Sequence, residues 1–454
     1  MEEQNQNALE KVNYWMKNSL MLKLGTITIL ILLLLIPGSM IQNLIYERET
    51  LSRQTGQEVS NLWANRQTVI GPILTVPVAY EYTEVIEGRG VVKSYSENLH
   101  ILPSSLIASG DLSPETLKRG IYEVVVYESN IDIAGTFDLT EINPSRPDMV
   151  EIRWDEATLS IGISDLRGIT NPLQLQVNDQ IKTIRPGVNT EYLTRSGVST
   201  DLDLSEELPE PFEFSFTLNL QGSENLSFVP VGSMTQLDLS SPWSSPSFNG
   251  NFLPAHREVS DSGFTANWQI LELNRSYPNW WIGEQFVNEI HASTFGTDMI
   301  MTMDDYQKSM RSAKYSIMTI GLTFLIFFII EVINKRKIHP FQYALVGLSL
   351  SIYYALLVSL SEHITFNLAY LISTLVIMSM ISFYAFTIFK KRTQTFVLTT
   401  IMTGFYGFMF VTLQLSDYAL LLGSVGLILI LSLTMYFTRN INWYGLSFKA
   451  ESSY

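Results

Sequence analysis

A chain of 454 residues has room for a membrane bundle beside one large soluble domain, and its 29 basic and 44 acidic residues are unevenly placed. Residues 46–314 hold 18 basic and 37 acidic side chains against 11 and 7 in the remainder, so the acidity belongs to one domain, which repels nucleic acid and anionic head groups. With no cysteine there can be no disulfide, thiolate metal site or cysteine nucleophile, and an exported domain of roughly 270 residues must be held by its own core.

The chain opens on a polar segment, 1–22, read as a cytoplasmic tail. An apolar run from Leu24 passes Pro37 and Gly38 to Ile45, which gives a first membrane helix over 23–45. No A-x-A-like site follows, so an uncleaved anchor is expected rather than a signal peptide. Residues 46–67 are charged and free of proline, and should prolong this helix as a stalk. After Gly71 and Pro72 the texture changes to short β-branched and aromatic runs: ILTVPVAYEY, GIYEVVVYE, ATLSIGIS, LQLQVN, FEFSFTLNL and GFTANWQILEL. Phe212, Phe214, Phe216, Leu218 and Leu220 alternate strictly, as in a strand with one buried face. GRGVVK at Gly88 reads as a hairpin turn. The segment 46–314 is therefore expected to be an all-β, sandwich-like extracytoplasmic domain, single or two in tandem.

Five further apolar runs, 315–333, 341–361, 366–389, 396–413 and 418–437, predict a five-helix bundle over 315–437 and six spans in all, with the β domain inserted between spans one and two. Basic residues follow span two (Lys335, Arg336, Lys337), span four (Lys390, Lys391, Arg392) and span six (Arg439), which sets both termini, including the tail 438–454, in the cytoplasm. The third span is 21 residues without a charge, about 32 Å of helix at ~1.5 Å per residue. Along it Gly347, Ser351, Ala355 and Ser359 recur every fourth residue, a row that lets a neighbouring helix approach closely.

The strings GPILTVPV at 71–78, SDLRGI at 164–169, FLPAHREVSDSGFTANW at 252–268, DDYQKSMRSAKY at 304–315, HPFQYALVGLSLSIYYALLVSLSEH at 339–363 and TRNINWY at 438–444 together resemble the CreD family of bacterial inner-membrane proteins. The resemblance covers nearly the whole chain and implies a role in cell-envelope integrity and colicin tolerance. It brings no catalytic residues with it.

Motifs of chemistry are sparse. GLSLS at 347–351 lacks the final glycine of a nucleophile elbow and lies in a membrane span. His100, His256, His291, His339 and His363 are dispersed without metal-ligand spacing. Asp201, Asp203, Glu206, Glu207, Glu210 and Glu213 lack the glycine and spacing of a calcium loop and read as a solvated segment. No metal or cofactor is expected. Glu331, one turn from Lys335, reads as half of an interfacial ion pair. Glu362 and His363 form either a proton or ligand site at the outer end of the third span or a plain polar helix end. Asp304, Tyr306, Arg311 and Lys314 read as an anchor joining the outer domain to the bundle. These features predict a non-enzymatic membrane protein in contact with membrane lipids, and the resemblance implies an envelope role with other envelope proteins as partners. A transporter or channel for a lipid or small substrate is the alternative.

Overall fold

The computed structural model describes residues 20–439 apart from 87–88, 145, 179, 191, 206–210, 300–303, 335–337 and 416–417. Two compact units emerge, one formed by Met1–Leu51 with Met303–Tyr454 and the other by Ser52–Thr302. The boundaries differ from the expected 46–314 because 46–51 and the segment from Asp304 onward make their contacts with the helical unit.

One continuous helix, α1 (Leu20–Leu62), covers both the expected first span and most of the stalk, with Pro37 inside it. It ends five residues early, since β1 (Gln67–Ile86) already begins before Gly71. The remaining strands are β2 (Arg89–Ile101), β3 (Ser105–Arg119), β4 (Tyr122–Phe137), β5 (Met149–Ile152), β6 (Ala157–Ile163), β7 (Leu175–Val177), β8 (Gln180–Lys182), β9 (Arg185–Pro186) and β10 (Gly197–Leu202). They continue with β11 (Phe212–Ser223), β12 (Asn225–Phe228), β13 (Met234–Ser241), β14 (Pro246–Gly250), β15 (His256–Ser260), β16 (Gly263–Leu271), β17 (Trp280–Ile282) and β18 (Phe295–Met299). One short helix, α2 (Val287–Ala292), interrupts them.

The strands form a ten-stranded sheet with the path β14-β18-β12-β1-β6-β10-β9, and an eight-stranded sheet in the order β15-β16-β13-β3-β4-β11-β7-β8. Both contribute to a single core that includes Tyr80, Tyr127, Phe137, Leu218 and Trp268, so two sandwiches in tandem are ruled out for this unit. The pairings β1 with β12 and β3 with β13 are parallel, which separates the topology from an all-antiparallel sandwich. Strand β11 buries Phe212, Phe214, Phe216, Leu218 and Leu220 as its alternation requires. The expected hairpin at Gly88 exists, with Ile86 opposite Arg89, although 87–88 lie outside the described residues.

The helical unit continues with α3 (Asp304–Lys314), α4 (Ser316–Asn334), α5 (Pro340–Ser361), α6 (Phe366–Phe389), α7 (Arg392–Gln414) and α8 (Ala419–Thr438). Among the described residues α1 and α4 to α7 are long and apolar enough to cross a membrane, while α8 offers a shorter apolar helix over Leu421–Tyr436. The unit's core draws Ile27, Leu34, Ile41 and Ile45 from α1 and residues from α3 to α7, but none from α8, most of whose described side chains are exposed. The expected grouping of the last five spans is thus corrected: α1 packs one face, Ile27, Leu34, Ile41 and Ile45, into the bundle's core, and α8 lies at its side. Local sequence explains where α5 starts. Pro340 occupies its first turn, and the His339 ring accepts a hydrogen bond from Phe341 N while Gln342 caps His339 N in return.

Candidate functional site

The one buried carboxylate of the described helical unit is Glu331, 1% exposed near the end of α4. Its partner is Lys23 of α1, not the expected Lys335, which lies outside the described residues. Oε1 also accepts from Ile338 N (2.9 Å), and Oε2 accepts from the Tyr343 hydroxyl (2.9 Å). Lys23 Nζ donates in turn to Ile338 O at 3.0 Å. The Tyr343 ring is held edge-on by Phe324 and Phe327. Both oxygens of Glu331 are therefore engaged, and the network fastens α1, α4 and the start of α5 together. A buried charge is tolerable in such a place only when paired and hydrogen-bonded.

At the opposite end of α5, Glu362 caps the helix with its side chain only 10% exposed and forms an ion pair with Arg48 of α1 at 3.5 Å. His363 is exposed and makes no bond to Glu362, so the two do not form a buried histidine and carboxylate pair. Helix α3 packs against α4 to α7 through buried Ser309, Ser312 and Ala313. Tyr306 and Arg311 are half-buried on it, and Lys314 is exposed. The side chain of Asp304 lies outside the described residues. The expected anchor is therefore part of the bundle itself, and Lys308 lies 6.0 Å from the Phe366 ring.

The small-residue row is split. Gly347 and Ser351 are buried, Ala355 is half-buried and Ser359 is exposed. A Cβ at Gly347 would stand 2.2 Å from Leu34 Cδ1 of α1 and 2.8 Å from Phe324 Cζ of α4, so this glycine is where three helices meet. Each four-residue step turns the row by ~40°, which carries Ser359 away from that contact.

The sequence did not single out the cluster that fills the space between α5, α6 and α7. Tyr353 packs edge-on against Tyr354, Tyr370 and Tyr406 at 4.9, 6.0 and 5.2 Å. The Tyr370 hydroxyl donates to Tyr406 O, and that of Tyr354 to Thr319 Oγ1. The hydroxyls of Tyr406 and Ser373 are buried without a hydrogen-bond partner among the described residues, while that of Tyr353 faces those of Thr374 and Tyr370. Each unpartnered hydroxyl costs about 1–3 kcal/mol. Paired tyrosines inside an otherwise aliphatic span were the available signal.

In the β unit the recognisable strings are structural. Asp165 accepts from Asn65 N and from the Arg167 side chain, and Ser164 accepts from Thr68 N, which ties the exit of α1 to β1 and β6. The Arg167 guanidinium holds the Asp165 carboxyl well below the usual carboxylate range. His100 is buried against Thr75, Tyr192 and Trp281, and burial holds its imidazole down to about 3. His256 is exposed on β15, His291 lies in α2 and His339 caps α5. Within the acidic stretch Asp201 pairs with Arg185 and Asp203 accepts from Ser205, while 206–210 lie outside the described residues. No three His, Asp or Glu among the described residues converge as a metal site.

The family model described as Inner membrane protein CreD matches residues 19–444, from the first helix through the β unit to the last. Inner membrane protein CreD of Escherichia coli (strain K12) is 33% identical over 437 residues, which span 95% of this chain and 95% of that protein. The match runs through the β unit and the helical unit alike, and the chain belongs to the CreD family of inner membrane proteins.

Proposed function

We propose that this chain is a six-span protein with both termini in the cytoplasm, whose outward-facing β unit supports cell-envelope integrity and stress or colicin tolerance without catalytic turnover. The distribution of charge carries this reading. Basic residues follow the second, fourth and sixth apolar runs, and the strongly acidic segment sits between the first and second. The saturated carboxylate of Glu331 suits a fastening role better than proton transfer. A strain lacking the chromosomal copy should lose colicin and detergent tolerance and regain it with the intact chain. Unchanged tolerance in the deletion strain would overturn the proposal.

A second reading, a transporter or channel for a lipid or small envelope-related substrate, is favoured by the buried hydroxyls of Ser373 on α6 and Tyr406 on α7, which have no partner among the described residues. Tyr353→Phe and Tyr406→Phe separate the two. Under the first reading both keep tolerance; Tyr406→Phe, which removes an unpartnered hydroxyl, is at least as stable as the parent, and Tyr353→Phe costs about 1 kcal/mol for the hydrogen bond it loses to Thr374 and Tyr370. Under the second they lose tolerance while remaining folded.

A further inference from the structure

The open face of the eight-stranded sheet carries an ordered polar ladder that the proposed function does not use. One row runs straight across six strands as His256, Asn267, Asp238, Ser109, Asp132 and Thr217. The next row, two residues along, includes Glu258, Ser240, Asp111 and Asn130. All twelve positions of the two rows hold hydrogen-bonding side chains, four of them are acidic, and none is Lys or Arg. A face that only meets water is normally dotted with both signs.

The three central carboxylates are also oriented. Asp132 accepts from Thr217 Oγ1 at 2.6 Å, Asp238 from Asn267 Nδ2 at 2.6 Å, and Asp111 from the Ser240 hydroxyl. In each case the other carboxylate oxygen bonds to no described residue and stays open on an exposed face. Two adjoining depressions, of about 300 and 600 Å³, share Ser109 and follow the first row across the sheet.

We propose that this face docks an extended, Lys- or Arg-rich segment of a partner protein. Charge complementarity selects that occupant: the two rows offer four carboxylates and no Lys or Arg, the one cation lining either depression being Arg257 on the edge strand β15, and residues 46–314, at 18 basic against 37 acidic, repel a second copy. Spacing agrees. Asp132 and Asp238 flank Ser109 on neighbouring strands, about 10 Å apart, and Asp111 lies about 7 Å further along, the separation of alternate side chains in an extended peptide. The inference rests on this face alone and holds whichever side of the membrane it occupies.

The test uses the full chain in phosphatidylcholine nanodiscs, titrated with labelled alternating Lys-Ser and Glu-Ser decapeptides and with neutral chitopentaose. Only the Lys-Ser peptide should bind, more weakly as salt rises. The combined variant Asp111→Asn, Asp132→Asn, Asp238→Asn should weaken it by about tenfold or more, and Thr265→Lys, which leaves every carboxylate in place, should do the same. An equal change of charge elsewhere, Glu141→Gln, Glu151→Gln, Glu289→Gln, should weaken it by less than about threefold. Equal losses from both triple variants would overturn the proposal, as would absence of peptide binding or binding of chitopentaose instead.

Discussion

Gly347 is where the packing of the bundle can be tested by one methyl group. Any side chain there meets Leu34 Cδ1 at 2.2 Å and Phe324 Cζ at 2.8 Å. The leucine tip can rotate away, but the phenylalanine ring is itself fully buried and pinned against Tyr343. Gly347→Ala should therefore cost about 1 kcal/mol, and Gly347→Leu, which also displaces α1, about 3 kcal/mol, the upper end of overpacking. Thermal aggregation of detergent-purified protein reads both. The double variant Gly347→Leu, Leu34→Ala should regain part of the loss, because the small residue at 34 opens room for the large one at 347. Ser359→Leu, on the exposed end of the same row, should be silent. If Gly347→Leu is as stable as the parent, α1 does not pack where the structure places it.

Glu331→Gln removes the charge that Lys23 is paired with, and should lower thermal stability by about 3–5 kcal/mol, more than replacing both members with apolar residues. A smaller loss for the single variant than for the pair would contradict the fastening role. Glu362→Gln should leave membrane insertion intact but impair envelope-stress tolerance through its pair with Arg48, whereas His363→Ala should behave as wild type. Equal phenotypes in the two would return this end of α5 to a plain polar cap. His100 is held neutral in the fold, so its contribution is intact above pH 6.5 and is lost as pH falls from there toward about 3, by up to about 1.4 kcal/mol per unit. Unfolding of the β unit within the full chain should show this slope between pH 6.5 and 5, and His100→Gln should remove it. An unchanged slope in the variant would refute the assignment.

Much of this architecture was legible in the chain. Long apolar runs and the alternation of Phe212, Phe214 and Phe216 report directly on burial, and α5 begins and ends within one residue of its uncharged stretch. What was not legible depends on three-dimensional neighbours. Glu331 had a basic residue one turn away in sequence, yet the side chain that reaches it is Lys23, some 300 positions earlier. A four-residue period cannot say where a helix rotates out of contact, so Ser359 looked equivalent to Gly347. The parallel pairings of β1 with β12 and β3 with β13 join segments more than a hundred residues apart, and no local pattern encodes them. The polar ladder was hidden for the same reason: its rows are contiguous only across six strands.

The central claim, an outward β unit between a cytoplasmic N-terminus and a bundle whose loops alternate in charge, is tested most directly by labelling single cysteines in intact cells, since the chain has none of its own. Cysteines introduced at Ser245 and Thr365 should react with a membrane-impermeant maleimide, and those at Gln394 and Ser452 should react only after the membrane is opened. Labelling of Gln394 or Ser452 in intact cells, or protection of Ser245 and Thr365, would contradict the account.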